Sequence, residues 1–286
     1  MPSVHTLVIT HTHERIARTL MGLKAQTMSP RSITVAIDGD DPRIEPEIRR
    51  AASAIGQPIT LVLRTRQAES RRAQNRNNAV RALLERGLDE HARLIFFDGD
   101  CIPCVDAVEA HSNALETNPL SLGWAIRLSE EQTASLSDQQ ILDGMTDSVL
   151  DPKQRASSGK AHFQTRKRIM MKKIGLTKPH KPGILSGNFG IRLSSFMEVN
   201  GFDESFTGWG MEDDDLARRL YMGDVKPRSV MDRAVVFHQY HPTDQPESWH
   251  DATNADRLSR ETVRRCSLGL DHPMDQDEPV VIRIEP

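Results

Sequence analysis

The sequence predicts an α/β fold in which a mainly parallel central sheet is flanked by helices. Short apolar or β-branched segments alternate with helical patterns through the N-terminal third of the chain. Two of these segments run directly into acidic turns, Asp38-Gly39-Asp40 and Asp98-Gly99-Asp100. Of the 286 residues, 37% are hydrophobic and 27% are charged, so a collagen-like, disulfide-dense or mostly disordered chain is excluded.

The N-terminal elements are predicted from their hydrophobic periodicity. The predicted strands are 4–10, 32–37, 59–63 and 93–97. The predicted helices are 14–26, 44–55 and 75–86, the last ending at Gly87. Such alternation is typical of a Rossmann-like sheet, in which ligands bind beyond the carboxyl ends of the strands. Both acidic turns lie at ends of this kind.

The second half of the chain is less regular. Residues 129–182 show few periodic segments and are predicted to form a basic, irregular loop or lid. Between Pro152 and Met197 there is no Asp or Glu but there are eleven Lys or Arg residues. Three interpretations stay open: a mobile lid over a diphosphate, a surface for an anionic acceptor, or a solvated loop. A short helix is expected after the acidic run 212–215, then a strand at 235–237 and a tail from 267.

Asp98-Gly99-Asp100 is the first candidate for chemistry. Two carboxylates one residue apart at a strand end can hold Mg²⁺ or Mn²⁺, which prefer oxygen ligands and share them with phosphates. Asp and Gly are also ordinary turn residues, so the motif alone does not decide the matter. His238 and His241 follow the strand at 235–237 and are candidates to complete a metal site with Asp100, although a lone histidine is more often structural.

The acidic run Glu212-Asp213-Asp214-Asp215 is the second candidate. Its carboxylates repel one another, and the dipole of a helix N-terminus would stabilise them. Alternatively, one of them is a general base for an acceptor hydroxyl. Neighbouring helical residues point about 100° apart, so Glu212 and Asp213 cannot share one role. Trp209, just upstream, is either a platform for a sugar ring or part of the core.

Basic residues crowd the region after the third predicted strand, and one or two of them are expected to contact an anionic ligand. They are Arg64, Arg66, Arg71, Arg72, Arg76, Arg81 and Arg86. Cys101-Ile102-Pro103-Cys104 lacks the second pair of ligands that a structural zinc site needs, and we interpret it as incidental. The GxGxxG and GxxxxGK[ST] motifs are absent, which excludes the simplest dinucleotide and P-loop sites.

These residues, in this order, resemble the glycosyltransferases of the GT-A fold. The likeness is to family-two bacterial enzymes and, in the C-terminal half, to the galactosyltransferase and chondroitin-polymerase group. The strongest match runs from Gly187-Asn188-Phe189 through Asn200-Gly201-Phe202-Asp203-Glu204 to Gly208–Leu216. Asp98-Gly99-Asp100 matches the DxD metal motif of these enzymes. The resemblance covers roughly residues 4–242, with a poor match over 129–182.

The resemblance implies roles for individual residues. Asp213 matches the catalytic base, and Glu212 and Trp209 match the acceptor site. Asp100 would be the more direct ligand of Mn²⁺ or Mg²⁺, with Asp98 beside it, His238 as a third ligand and His241 as the fallback. The residues implied to contact the nucleotide sugar are Thr10, His11, Thr12, Asp38, Arg72, Arg76, Asp98, Gly99, Gly187 and Asn188. Arg72 opens an R-A-x-x-x-N stretch that ends at Asn77.

The activity implied is the metal-dependent, inverting transfer of a hexose or N-acetylhexosamine from a UDP-sugar to a hydroxyl of a glycan or other acceptor, as in polysaccharide biosynthesis. One alternative is a metal-dependent nucleotidyl- or phosphotransferase, which would leave Trp209 and the Glu212-Asp213 pair without a role. Another is a non-catalytic module that binds anionic glycans through the basic stretch.

The implied organisation is a single domain with two halves. Residues 1–128 would bind the nucleotide sugar, 129–182 form the loop or lid, 183–266 bind the acceptor and carry catalysis, and 267–286 form the tail. A formal net charge of -3 argues against a nucleic-acid partner. Three cysteines, no apolar run long enough to span a bilayer and no secretory signal lead us to expect a cytoplasmic protein. The basic stretch leaves a peripheral membrane contact open.

Overall fold

The computed structural model describes residues 2–64, 70–208, 210–242, 254, 263–275 and 278–286. The strands are β1 (Val4–Thr10), β2 (Ser32–Asp38), β3 (Ile59–Arg64), β4 (Arg93–Asp98), β5 (Cys101–Pro103), β6 (Leu120–Leu122), β7 (Trp124–Arg127), β8 (Asn188–Arg192), β9 (Pro227–Ser229), β10 (Val235–His238) and β11 (Val280–Ile284). The helices are α1 (Ile16–Met21), α2 (Ile44–Ile55), α3 (Arg72–Leu84), α4 (Ala107–Thr117), α5 (Glu130–Ser135), α6 (Asp138–Leu142), α7 (Pro152–Lys173), α8 (Leu193–Glu198) and α9 (Glu212–Met222), with a 3₁₀ turn at Thr146–Val149.

The described residues form an eight-stranded sheet with the strand order β11-β3-β2-β1-β4-β8-β6-β9. The block from β3 to β4 is parallel, whereas β11 and β8 run antiparallel to the strands beside them. A smaller sheet has the order β5-β10-β7, and two residues separate β5 from the end of β4. The predicted α/β fold with a mainly parallel central sheet and flanking helices is confirmed.

Side chains of the central strands alternate between two hydrophobic layers, as a pleated strand requires. Val8 on β1 belongs to the layer that includes α1 and α2, and its neighbour Leu7 belongs to the layer that includes α3. In the second layer the rings of Phe96 and Phe189 stack with centroids 4.7 Å apart. Burial on both faces explains why these strands are nearly continuous apolar runs. Because β2 and β4 are both parallel to β1, the acidic turns at their ends lie at the same edge of the sheet.

The prediction that residues 129–182 form an irregular segment is wrong, because α5, α6 and α7 lie within it. Pro152–Lys173 is a helix of 22 residues, begun by Asp151, whose side chain accepts a hydrogen bond from the amide of Gln154. The helix was missed because only Ala161 and Thr165 of its residues are buried, so it lacks the apolar stripe from which helices are recognised. No helix in the described part of the chain combines the length and the apolar character needed to cross a membrane.

The C-terminal segment corrects the prediction of a tail. Val280–Ile284 forms β11, which pairs antiparallel with β3 and brings Ile284 opposite Ile59. Ile284 is fully buried, whereas Val280 is 60% exposed. The strand was missed because only one of its faces is covered and Arg283 interrupts its apolar run after three residues.

Candidate active site

The carboxyl end of β4 is joined to the start of α9 by a buried arginine. Arg76 on α3 donates from Nη2 to Asp98 Oδ1 at 2.8 Å and from Nη1 to Glu212 Oε1 at 3.3 Å. Burial alone would lower the pKa of Arg76, but the charges of Asp98 and Glu212 raise it, so the guanidinium stays protonated. Its carbon also lies 5.4 Å from the ring centroid of Phe202. One cation therefore links the two acidic motifs identified in the sequence.

The second acid of the turn has different partners. Asp100 Oδ2 lies 3.1 Å from His241 Nε2 and 3.5 Å from His238 Nε2. Burial would raise the pKa of Asp100, but the hydrogen bond to His241 and the charge of His238 hold it at about 2. The same hydrogen bond raises the pKa of His241. In the described part of the chain these three side chains form the group that could hold a metal ion, with their ligand atoms all within 4.8 Å of one another.

Strand pairing explains why the two acids of one turn separate. β5 pairs antiparallel with β10 so that Cys101 lies opposite His238, and the amide of Gln239 donates to the carbonyl of Asp100. This pairing brings the Asp100 side chain to the histidines. Asp98 is still part of β4 and is neutralised by Arg76.

Binding of a metal ion by these residues stays a prediction, but the structure shows where their side chains lie. The structure brings Asp100 and His238 together as predicted. Asp98 lies outside the cluster because its carboxylate is held by Arg76, and His241 joins His238 instead of serving as its substitute.

Asp213 occupies the second position of α9, next to Glu212. The helix begins after Met211, whose φ of 73° and the φ of 88° at Gly210 give the chain a sharp turn at this point. Desolvation and the negative charges of Glu212 and Asp214 raise the pKa of Asp213 to about 7, against the opposing effect of Arg76. Asp214 is paired with Lys181 at 3.1 Å. A carboxylate with a pKa near neutrality is suited to accept a proton.

Two glycines allow the chain to approach this edge closely. A Cβ atom at Gly187 would lie 2.6 Å from Asp98 Oδ2, and one at Gly99 would lie 2.7 Å from the Cβ of Thr10. Neither position accepts a side chain without displacing its neighbour. The backbone of Gly187 therefore lies against Asp98, and that of Gly99 lies against Thr10.

Asn188 is corrected from a sugar-contacting residue to a structural one. Its side chain is fully buried, donates to the carbonyls of Trp124 and Ala234, and its oxygen lies 2.9 Å from Nε2 of His111. Burial lowers the pKa of His111 to about 4, so its ring is neutral. The amide ties β8 to the smaller sheet and has no exposed surface with which to touch a sugar.

The residues predicted to contact the nucleotide lie at the ends of β1 and β2. Asp38 is buried, accepts from Arg64 at 3.2 Å and from the backbone amide of Arg71 at 2.8 Å, and so secures the segment that leads into α3. The hydroxyl of Thr10 donates to the carbonyl of Thr12, which closes a tight turn around His11. Contact of these residues with a nucleotide stays a prediction.

Arg72 opens α3, and its contact with the donor also stays a prediction. Asn77, the other end of the R-A-x-x-x-N stretch, is fully buried and bonds the backbone of Phe202 and the side chain of Glu204. Trp209 and Arg66 lie outside the described residues.

Sequence reasoning missed a buried polar cluster behind the site. Glu204, fully buried, accepts hydrogen bonds from Asn77, from Arg81 at 2.6 Å and from the amide of Met274. Arg219 pairs with Asp215 at 2.7 Å and donates to the carbonyls of Val199 and Gly201. These contacts hold the 200–204 turn against α3 and α9. The sequence does not indicate these buried contacts, because Arg, Asp and Glu side chains are usually exposed.

The geometry can be compared with known proteins. A family model described as the N-terminal domain of galactosyltransferase matches residues 168–242, a range that includes the acidic run of α9 and both histidines. Beta-1,4-galactosyltransferase 2 from Cricetulus griseus is 27% identical over 103 residues, which cover 36% of this chain and 27% of that protein. Human beta-1,4-galactosyltransferase 3 is 32% identical over 75 residues, or 25% of this chain and 19% of the relative. The chain thus spans at most 27% of these relatives.

Two solved structures share the fold over most of the chain. S. aureus TarS 1-349 in complex with UDP-GlcNAc has a TM-score of 0.59 at 12% identity, covering 94% of this chain and 68% of that one. GalNAc-T7 with UDP, GalNAc and Mn²⁺ has a TM-score of 0.54 at 15% identity, covering 90% and 47%. The chain has the GT-A fold of glycosyltransferases, which confirms the resemblance noted in the sequence. The family model of the galactosyltransferase domain matches in the C-terminal part of the chain, at residues 168–242.

Proposed function

We propose that this chain is a metal-dependent, inverting glycosyltransferase that moves a hexose or N-acetylhexosamine from a UDP-sugar to a hydroxyl of a glycan or other acceptor. The observation that carries the proposal is the Asp98–Arg76–Glu212 bridge, which joins the DxD turn to the acidic start of α9. A donor held at the DxD turn would then lie beside a base at the start of α9. Of the two structural neighbours, one contains UDP and GalNAc and the other contains UDP-GlcNAc, which supports a UDP-sugar as donor.

The donor set of Asp100, His238 and His241 fits a divalent cation. Two ligand atoms each about 2.1 Å from an ion and at right angles to one another lie about 3.0 Å apart. The measured separations of 3.1 and 3.5 Å from Asp100 Oδ2 to the two imidazoles are close to that value. Two nitrogens and one oxygen favour Mn²⁺ over Mg²⁺. When bound, the cation would offset the negative charge of the departing diphosphate.

The chain's own residues supply the remaining steps of the proposed reaction. Asp213, with its pKa of about 7, would take the proton from the acceptor hydroxyl as that oxygen attacks the anomeric carbon. Glu212, fixed by Arg76, would accept a hydrogen bond from the acceptor. Inversion follows if the base and the leaving group lie on opposite faces of the sugar. In this proposal residues 1–128 bind the donor and 183–266 bind the acceptor.

The experiment is a screen of nucleotide sugars for thermal stabilisation in the presence of Mn²⁺, because a specific ligand raises the melting temperature by mass action. Hits are then tested for UDP release with a panel of hydroxyl acceptors. Asp100→Ala should abolish metal-dependent UDP binding in calorimetry, whereas Asp213→Asn should retain binding and lose transfer. Release of pyrophosphate would favour the nucleotidyltransferase alternative. Glycan binding that survives both substitutions, without turnover, would favour the non-catalytic one.

A further inference from the structure

The outer face of α7 carries an exposed apolar stripe. Phe163, Met170 and Ile174 are 72%, 64% and 68% exposed. Phe163 and Met170 are seven residues apart on one side of the helix, and Ile174, the residue directly after it, follows Met170 at a spacing of four. Leu176, just beyond the helix, is 64% exposed as well. Large apolar side chains this exposed, and aligned along one helix face, point to a contact surface.

Cations border the stripe on both sides. Lys160 and Lys167 lie along one edge of the stripe at helical spacing, and Arg166 and Lys173 lie along the other; all four are exposed. None of them forms a salt bridge with a described residue. The absence of Asp and Glu between Pro152 and Met197 leaves this positive charge uncompensated along the chain.

The opposite face of α7 fixes its orientation. Ala161 and Thr165 are buried, Ser157 accepts a hydrogen bond from the indole of Trp124 at 3.2 Å, and His162 lies 2.9 Å from Asp232. These contacts attach the helix to β7 and to the segment that follows β9. The apolar stripe therefore cannot turn inward without breaking them.

We propose that the outer face of α7 docks on an anionic lipid bilayer. A convex helix with an apolar stripe between two rows of cations matches the boundary between acyl chains and anionic headgroups, where such helices lie in the plane of the membrane. A second copy of the chain would bring like charges together. An anionic polysaccharide would pair with the cations and leave Phe163, Met170 and Ile174 in water.

Docking would bring the acceptor side of the proposed active site close to the membrane, with α7 between the two. The Lys172 ammonium lies 4.1 Å from the ring centroid of Tyr221 on α9, and Lys181 pairs with Asp214 beside the proposed base. The end of α7 and the following loop thus contact the helix that bears Glu212 and Asp213. This consequence rests on the proposed function, whereas docking itself does not.

The test is sedimentation of the full chain with sucrose-loaded vesicles of phosphatidylcholine, with and without 30 mol% phosphatidylglycerol. The apolar variant is Phe163→Ser with Met170→Ser and Ile174→Ser, and its control is Met145→Ser with Met222→Ser and Val280→Ser, which are exposed elsewhere. The charge variant is Lys160→Gln with Lys167→Gln and Lys173→Gln, and its control is Arg31→Gln with Arg49→Gln and Arg283→Gln. Melting temperatures confirm that each variant folds.

We expect the wild type to bind the anionic vesicles, to release them as salt is raised to 0.5 M, and to bind neutral vesicles at least about tenfold more weakly. Each α7 variant should weaken partition to anionic vesicles by about tenfold or more, and each control by less than about twofold. Failure to bind anionic vesicles, or equal losses in the α7 variants and their controls, would overturn the proposal. The proposal would also be overturned if the chain bound dextran sulfate as strongly as anionic vesicles and the apolar variant bound it equally well. Sedimentation does not measure UDP binding, so a negative result for docking leaves the proposed function untouched, and the reverse also holds.

Discussion

At the scale of single residues, the site depends on how each carboxylate is neutralised. Asp98, Asp100 and Asp213 carry the same group, yet Asp98 faces a buried guanidinium, Asp100 faces two imidazoles, and Asp213 has acidic neighbours on both sides. The first is paired with Arg76, the second belongs to the candidate metal cluster, and the third has a pKa of about 7. Environment separates the roles of chemically identical side chains.

Asp213→Asn is expected to stabilise the fold while it removes activity. The pKa of Asp213 is raised from 3.8 to about 7, so the unfolded chain releases this proton more readily than the folded one. Below pH 4, where the carboxyl is protonated in both states, Asp213 does not lower the free energy of unfolding. The wild-type chain loses stability through this residue as the pH rises to about 7. At pH 8 the variant should be more stable by roughly 1–3 kcal/mol in urea unfolding, with no difference at pH 4.

The matched control for this measurement is Asp214→Asn. Asp214 also repels Asp213, but it is paired with Lys181 at 3.1 Å, so the neutral residue gives up this attraction together with the repulsion and should gain less stability. A gain of equal size in both variants would contradict the environment assigned to Asp213. So would a gain in Asp213→Asn that persisted unchanged at pH 4.

Replacement of Arg76 should be far more damaging than loss of a surface arginine with a similar pairing. Arg76→Met leaves Asp98 and Glu212 without their shared counter-ion in a site where Arg76 is 2% exposed. We expect a loss of about 3–5 kcal/mol in urea unfolding. Arg50 also bridges two carboxylates, Glu47 and Asp138, but its side chain is 47% exposed. Arg50→Met should cost less than about 1 kcal/mol, and similar losses for the two would argue against a buried bridge.

At the scale of elements, local periodicity was informative where a segment is buried on one or both faces. α2 has its predicted bounds, and β1 to β4 lie within one residue of theirs, because their apolar patterns reflect the layers that cover them. α7 and β11 were missed because their stabilising contacts are few or one-sided. The convergence of Asp100 with His238 followed from the family resemblance, whereas the participation of His241 depends on the β5–β10 pairing, which no local pattern encodes.

The C-terminal strand offers a test of its contribution to the fold. Ile284 on β11 is fully buried opposite Ile59, so Ile284→Ala should cost about 2–4 kcal/mol, from lost burial and the cavity that remains. Val281 on the same strand is 38% exposed, and Val281→Ala should cost less than about 1 kcal/mol. Chemical denaturation of both variants measures the difference. Equal, small losses would mean that β11 is not packed in solution.

At the scale of the whole molecule, the candidate metal cluster joins distant parts of the chain. Asp100 follows the central strand β4, His238 is the last residue of β10 and His241 follows it, so the group spans the transition between the large and the small sheet. A ligand that binds all three side chains holds the two sheets together, and it should therefore raise the free energy of unfolding of the whole chain. Because the pKa of His241 is raised by Asp100, a cation has to compete with a proton at this site.

Mn²⁺ should accordingly raise the melting temperature in a way that depends on pH. At a concentration of 100 times the dissociation constant the gain is about 2.7 kcal/mol, which corresponds to roughly 4–5 °C for a chain of this size. The shift should shrink as the pH falls from 8 to 6, since protonation of His241 excludes the ion, and it should be lost in Asp100→Ala and His241→Ala. His91→Ala is the control, because the His91 side chain is 73% exposed and lies apart from the cluster. A shift that is independent of pH and retained in His241→Ala would place the ion elsewhere on the protein.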